Sequence, residues 1–223
     1  MIDLAPIGLS LALAGVTTMI LLVIGTPLAW WLSQTRSRFK PVVEAVTALP
    51  LVLPPTVLGF YLLIALNPNA PIGQLWLSLT GDTLTFSFSG LVVASVIYSL
   101  PFMVQPLQAA FEWVGRRPME AASGLRAKPL DAFLTVAVPL SSRGFLVASV
   151  LTFAHTIGEF GVVLMVGGNI PGRTQVISIA VFEHVETLRY SEAHILAAGL
   201  LLFSFVTLLA VYTANRRLAP HVG

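Results

Sequence analysis

Ser149, Thr152, Thr156 and Glu159 are the residues of this chain whose types and spacing most suggest chemistry. Steps of three, four and three place them on one face of an α-helix, where residues advance by about 100° each. Such a stripe can line a route for a polar solute or hydrogen-bond to neighbouring helices, and the residues alone leave both uses open. A bare carboxylate repels an anion, so Glu159 suits a gate or an anchor better than an anion ligand. His155 and Glu159 are four apart and could touch one ion, but two ligands fall short of the four of a structural zinc site. The segment holding Glu183, His184, Glu186, Glu192 and His194 is richer in donors. It is expected to be a solvated loop with a short helix rather than a metal site. Ser149 and His155 point to different helix faces, so they form no local nucleophile–base pair. A serine elsewhere could still meet His155, which keeps an intramembrane hydrolase as a rival reading. There is no cysteine, which excludes thiolate sites and disulfides. No Gly-x-x-x-x-Gly-Lys-Ser/Thr loop occurs, so the chain is not expected to bind ATP or another cofactor itself. No metal site and no covalent chemistry are expected.

The elements that hold these residues must be membrane helices. Of 223 residues, 56% are hydrophobic and 10% charged, against about 25% charged in a soluble domain. Mean hydropathy is +0.88. Runs long enough to span a bilayer lie at about 7–32, 45–66, 86–111, 144–166 and 194–214. The reading is one all-α membrane domain of five spans over residues 1–223. Arg36, Arg38, Lys40, Arg116, Arg117, Arg126, Lys128, Arg143, Arg216 and Arg217 fall between or after spans on one side, and only Arg173 and Arg189 on the other. The positive-inside rule then puts the N-terminus outside and the C-terminus in the cytoplasm. The pI near 9.3 reflects that asymmetry and not nucleic-acid binding. Prolines 50, 54 and 55 in the second run remove backbone donors. They imply either a packing kink or a break that lines a pathway.

The longest cytoplasmic segment is 112–143. Pro118 suits a helix's first turn, Glu120 favours its dipole, and small residues follow. A second amphipathic stretch runs from Leu130 to Val138 and stops at Pro139. Glu120-Ala121-Ala122, with Val136, Val138 and Pro139 at the matching distances, resembles the signature of binding-protein-dependent importer permeases: Glu-Ala-Ala, three residues, Gly, nine residues, Ile, one residue, Leu-Pro. The signature glycine is Arg126 here, with Gly124 two residues earlier. Arginine adopts a glycine conformation poorly, so the turn is expected to differ; Arg126 could instead meet an acidic group on a partner.

Residues 49–55 (Leu-Pro-Leu-Val-Leu-Pro-Pro), 158–161 (Gly-Glu-Phe-Gly) and 169–174 (Asn-Ile-Pro-Gly-Arg-Thr) resemble the molybdate permease branch of this superfamily. The resemblance implies a type I ABC importer permease in the inner membrane. It implies a homodimer joined by two ABC ATPase subunits and an extracytoplasmic oxyanion-binding protein, with ATP and Mg on the ATPase. Glu120, Ala121, Ala122, Gly124, Leu125 and Arg126 would then engage the ATPase. Ser149, Thr152, Thr156 and Glu159 are candidates for the pathway. Tungstate and sulfate or thiosulfate are the alternative cargoes. A secondary transporter would ordinarily show inverted repeats and more spans; no internal repeat is evident. No Lys or Arg lies within a span, so high affinity is expected in the external protein rather than here.

Overall fold

The structure is a computed structural model that describes residues 4–217. The ends of the expected domain, residues 1–3 and 218–223, lie outside the described residues. Regular structure among the described residues is helical throughout. In chain order it comprises α1 (Ala5–Gln34), α2 (Lys40–Val52), α3 (Pro55–Ala65), α4 (Pro71–Thr80), α5 (Phe88–Val114) and α6 (Arg117–Gly124). There follow α7 (Pro129–Ala132), a π turn over Phe133–Ala137, α8 (Val138–Leu140), α9 (Ser142–Gly158), α10 (Gly161–Gly167), α11 (Ile177–Glu186) and α12 (Tyr190–Arg217).

α1, α5 and α12 are each long and apolar enough to cross a membrane. They match the first, third and fifth expected spans. Pro6 starts α1 where no N–H is needed. Ser87 caps α5 by accepting from the Gly90 N–H at 3.2 Å. Gly90 admits the Leu84 carbonyl, which would stand 1.8 Å from a Cβ there. α1, α5 and α9 enclose the main core of Leu21, Ala29, Leu32, Met103, Leu107 and Phe111, all fully buried.

The second expected span, 45–66, is not one helix. α2 and α3 meet at 112°. Leu53 and Pro54 are extended, as residues preceding proline prefer, and Pro55 restarts the chain at the first turn of α3. The fourth, 144–166, is also divided. α9 ends at Gly158, Glu159 is extended, and α10 begins at Gly161. The Pro129–Leu140 stretch meets α9 at 73°. Counting each bent pair as one span gives up to five. α4 is a short helix that the sequence reading did not anticipate.

Contacts sort the chain into two ends. One holds the junctions α1–α2, α5–α6 and α8–α9 with their Arg and Lys residues, and is called the basic end. The other holds the start of α1, α4, the break after α9, and α11.

Candidate functional site

At the basic end, α6 stands out from the bundle. Pro118 lies in its first turn with Glu120. Glu120, Ala121, Gly124 and Arg126 are exposed, Leu125 is 85% exposed, and only Ala122 is buried among the coupling candidates. Leu130 adds a second apolar side chain, 68% exposed. Two apolar side chains thus stand open among charged ones at this end. Beneath α6 lies a cavity of about 530 Å³ bordered by Gln34, Arg116, Met119, Glu120 and Ser123.

The turn after α6 has an unusual occupant. Arg126 sits at φ 63°, in the left-handed region that favours glycine. Its N–H donates to the Ser123 carbonyl at 2.9 Å and the Ala127 N–H to the Ala122 carbonyl at 3.1 Å. This pair of bonds is a Schellman closure, with Arg126 at the position glycine usually takes. The turn therefore has the backbone form a glycine would give, despite the arginine.

Two links tie this end to the bundle. Arg116 Nη2 donates to the Gln34 carbonyl at 2.6 Å, satisfying an orphan acceptor at the end of α1. Trp30 of α1 stacks edge-on against Phe111 of α5 and Phe133 of the π turn, each at 5.1 Å between centroids. Phe145 of α9 meets Phe111 at 5.8 Å. The π turn closes by the Val138 N–H donating to the Phe133 carbonyl. It widens the helix just before Pro139, whose ring would crowd the carbonyl four residues back in a regular α-helix. A displacement of α6 is thus met by four packed rings from four elements.

The end of the α9 stripe nearest the break faces α5. Thr152 and Thr156 are buried and Ser149 half-buried. Ser99 Oγ of α5 lies 3.0 Å from Thr156 Oγ1 and 2.9 Å from His155 Nδ1. Thr156 also donates to the Thr152 carbonyl. The His155 ring stacks on Phe102 at 3.9 Å and lies 4.9 Å from Tyr98. A serine distant in sequence does therefore meet His155, but Ser99 is wholly buried, so a substrate has no approach to its oxygen.

Glu159 sits at the break itself, 3% exposed. Ser95 Oγ faces its carboxyl group without reaching hydrogen-bonding geometry, and neither carboxyl oxygen has a protein partner. Its backbone carbonyl, freed where α9 stops, accepts from Ser178 Oγ of α11. The carboxylate is therefore not anchored by backbone N–H groups beside Gly158 and Gly161. The two broken helices meet here: Pro55 opens α3 directly against Gly161, the first residue of α10. At the same end Asn169, Gln175 and Glu183 interlock, with Asn169 and Gln175 both donating to Glu183 Oε2. Arg189 pairs with Glu183 at 3.6 Å. Glu183, His184 and Glu186 belong to α11, and Glu192 and His194 to α12. No group of three or more acidic or histidine side chains that could hold a metal forms among the described residues.

Sequence reasoning missed Ser99 and Tyr98 around His155, Ser95 beside Glu159, the Arg116–Gln34 tie, and a clasp of Lys40, Glu44, Gln108 and Glu112. Each joins residues on different helices, and one sequence carries no signal of cross-helix pairing.

Residues 8–223 match the family described as binding-protein-dependent transport system inner membrane component. The chain is 61% identical over 214 residues to the molybdenum transport system permease protein ModB of Azotobacter vinelandii, covering 96% of this chain and 95% of that one. It is 35% identical over 179 residues to the ModB of Escherichia coli K12, covering 80% and 78%. Among solved structures, a methionine ABC transporter, MetNI, in inward-facing form superposes with a TM-score of 0.73 at 16% identity, covering 96% and 94%. That likeness establishes the fold, a type I ABC importer permease. With its apolar helices and no ATP-binding loop, the chain belongs to the family of multi-pass inner-membrane components of binding-protein-dependent transport systems, a family of transport subunits rather than enzymes.

Proposed function

We propose that this chain is the membrane-spanning subunit of an ATP-driven molybdate importer. The observation that carries the reading is 61% identity, over 96% of the chain, to a permease named for molybdenum transport. The basic end is then cytoplasmic, in keeping with the positive-inside rule. Two copies would pair, two ABC ATPases would dock below, and a molybdate-binding protein would deliver cargo from the opposite side. ATP and its Mg are held by the ATPases.

In this reading Glu120, Ala121, Ala122, Gly124, Leu125 and Arg126 form the surface that the ATPase grips. The exposure of all but Ala122, and the bare Leu125, support it. Closure of the ATPases pulls α6, and the ring cluster of Trp30, Phe111, Phe133 and Phe145 transmits the pull to α1, α5 and α9. Ser149, Thr152 and Thr156 along α9, with Glu159 at the break, shape the pathway wall. With no Lys or Arg in the apolar spans, the permease holds the ion weakly and leaves tight binding to the external protein.

The test is uptake by the complete complex in vesicles. Molybdate should enter only with ATP and the binding protein, unaffected by proton uncouplers, with tungstate competing better than sulfate. Sulfate entering in preference would overturn the cargo. Uptake driven by a proton gradient without ATP would overturn the class.

A further inference from the structure

Gln105 is a polar side chain in the wrong place for a lipid-facing residue. It lies nine residues before the end of α5, about 13 Å up the helix, within a hydrocarbon core of about 30 Å. Its side chain is exposed and makes no hydrogen bond. An amide left open to acyl chains at this depth has no partner for its donors and acceptor. Polar side chains within a span face the bundle interior or water.

The surface around Gln105 is a shallow, open groove. A cavity of about 300 Å³ runs between α2 and α5, bordered by Glu44, Thr47, Gln105, Gln108 and Glu112 together with two alanines. At its cytoplasmic mouth two carboxylates are held in place. Gln108 Nε2 donates to Glu44 Oε1 at 2.7 Å and to Glu112 Oε1 at 3.0 Å. Lys40 Nζ lies 3.6 Å from Glu44 and 3.2 Å from Glu112. Two carboxylates against one ammonium leave the mouth with one net negative charge.

We propose that this α2–α5 groove is the cytoplasmic half of the ion's route, with Gln105 and Thr47 on its wall and Glu44 and Glu112 as an acidic rim. The inference rests on the oxyanion import proposed above. The Gln105 amide offers a departing oxyanion weak hydrogen bonds without a fixed countercharge, whereas the Thr47 hydroxyl already donates to the Glu44 carbonyl at 2.9 Å and only shapes the wall. The rim disfavours its return, because low-dielectric walls focus the field of charges at a cleft mouth. ATP supplies the direction of transport. The rim lowers the occupancy of the open groove by anion already in the cytosol.

This chain contains no cysteine, so with cysteine-free ATPase partners the introduced thiol is the one the reagent meets. Q105C in the complete complex is placed in inside-out proteoliposomes, with the binding protein and molybdate enclosed and ATP outside. A membrane-impermeant cationic methanethiosulfonate, added outside, should label Q105C and cut molybdate export from the lumen at least fivefold. V206C, on the exposed face of α12, should escape labelling. A transporting Q105C complex that stays unlabelled, or that instead forms a disulfide with the second copy, overturns the groove. Failure of the cysteine-free parent to move molybdate overturns the importer reading instead. For the rim, molybdate added outside should inhibit E112Q at roughly threefold lower concentration than the parent; an unchanged inhibition curve overturns it.

Discussion

Pro55 and Gly161 touch so closely that a methyl group on Gly161 would stand 2.8 Å from Pro55 Cβ. The contact joins two breaks: α3 starts at Pro55 after a 112° bend, and α10 starts at Gly161 after Glu159. Prolines make one break and a glycine lets the other approach it. A proline ring cannot swing aside, so Gly161→Ala must separate α3 from α10. Overpacking of this kind costs about 1–3 kcal/mol. The purified complex should melt several degrees lower and lose most of its uptake. Gly8→Ala, on the exposed side of α1 where a Cβ would meet open space, should do neither.

Arg126 carries strain that its bonds to Ser123 and Ala127's bond to Ala122 hold in place. A left-handed non-glycine residue costs about 1–2 kcal/mol, part of which Arg126→Gly would recover and part of which the freer unfolded chain would offset. R126G should therefore co-purify with the ATPase at least as well as the parent. A β-branched side chain tolerates this region least, so R126V should reduce the yield of complex. Arg126→Glu keeps the turn's problem and reverses the charge. Normal recovery of the ATPase with R126E would rule out an ion pair between Arg126 and the partner.

The long apolar runs of α1, α5 and α12 were legible because bilayer crossing demands an uninterrupted composition that a single sequence displays. The bend at Pro54–Pro55 was legible in kind and not in size, since three prolines announce missing donors without saying where the next segment goes. The break at Glu159 was hidden. Residues 144–166 read as one apolar run, and only Gly158 and Gly161 hinted that the helix stops. The short helix α6 was legible from Pro118 and Glu120, and its Schellman turn was obscured by the arginine in place of glycine. The α2–α5 groove was invisible for a different reason. Glu44, Gln105, Gln108 and Glu112 acquire meaning only when two helices 64 residues apart at Glu44 and Gln108 come side by side.

Trp30 lies between Phe111 and Phe133 at 5.1 Å from each, so it touches both the bundle and the stretch behind α6. Removing a fully buried ring costs about 3–5 kcal/mol; Trp30 is partly buried, so Trp30→Ala should cost somewhat less and still lower the yield of folded permease. Trp30→Phe keeps a ring but leaves slack at one neighbour. It should fold, still stimulate ATP hydrolysis, and transport fewer ions per ATP than the parent. The measurement is the ratio of molybdate moved to phosphate released, and a ratio equal to the parent's would show that the cluster serves stability alone.

Ser99 and His155, 2.9 Å apart, have the spacing of a nucleophile and its base, and the surroundings decide against that role. Ser99 is 0% exposed, its oxygen is shared with Thr156, and the imidazole is stacked on Phe102. The pair instead joins α5 to α9 where both run through apolar surroundings. Ser99→Ala removes two hydrogen bonds and leaves His155 Nδ1 and Thr156 Oγ1 to find other partners, a loss of about 1–3 kcal/mol. S99A should melt a few degrees lower while uptake at a temperature well below melting stays within about twofold. Ser99→Thr restores a hydroxyl but adds a methyl to a packed seam, so its loss of stability should match or exceed that of S99A. Uptake abolished in S99A with the complex fully folded would contradict the structural role and make this hydroxyl part of the working pathway.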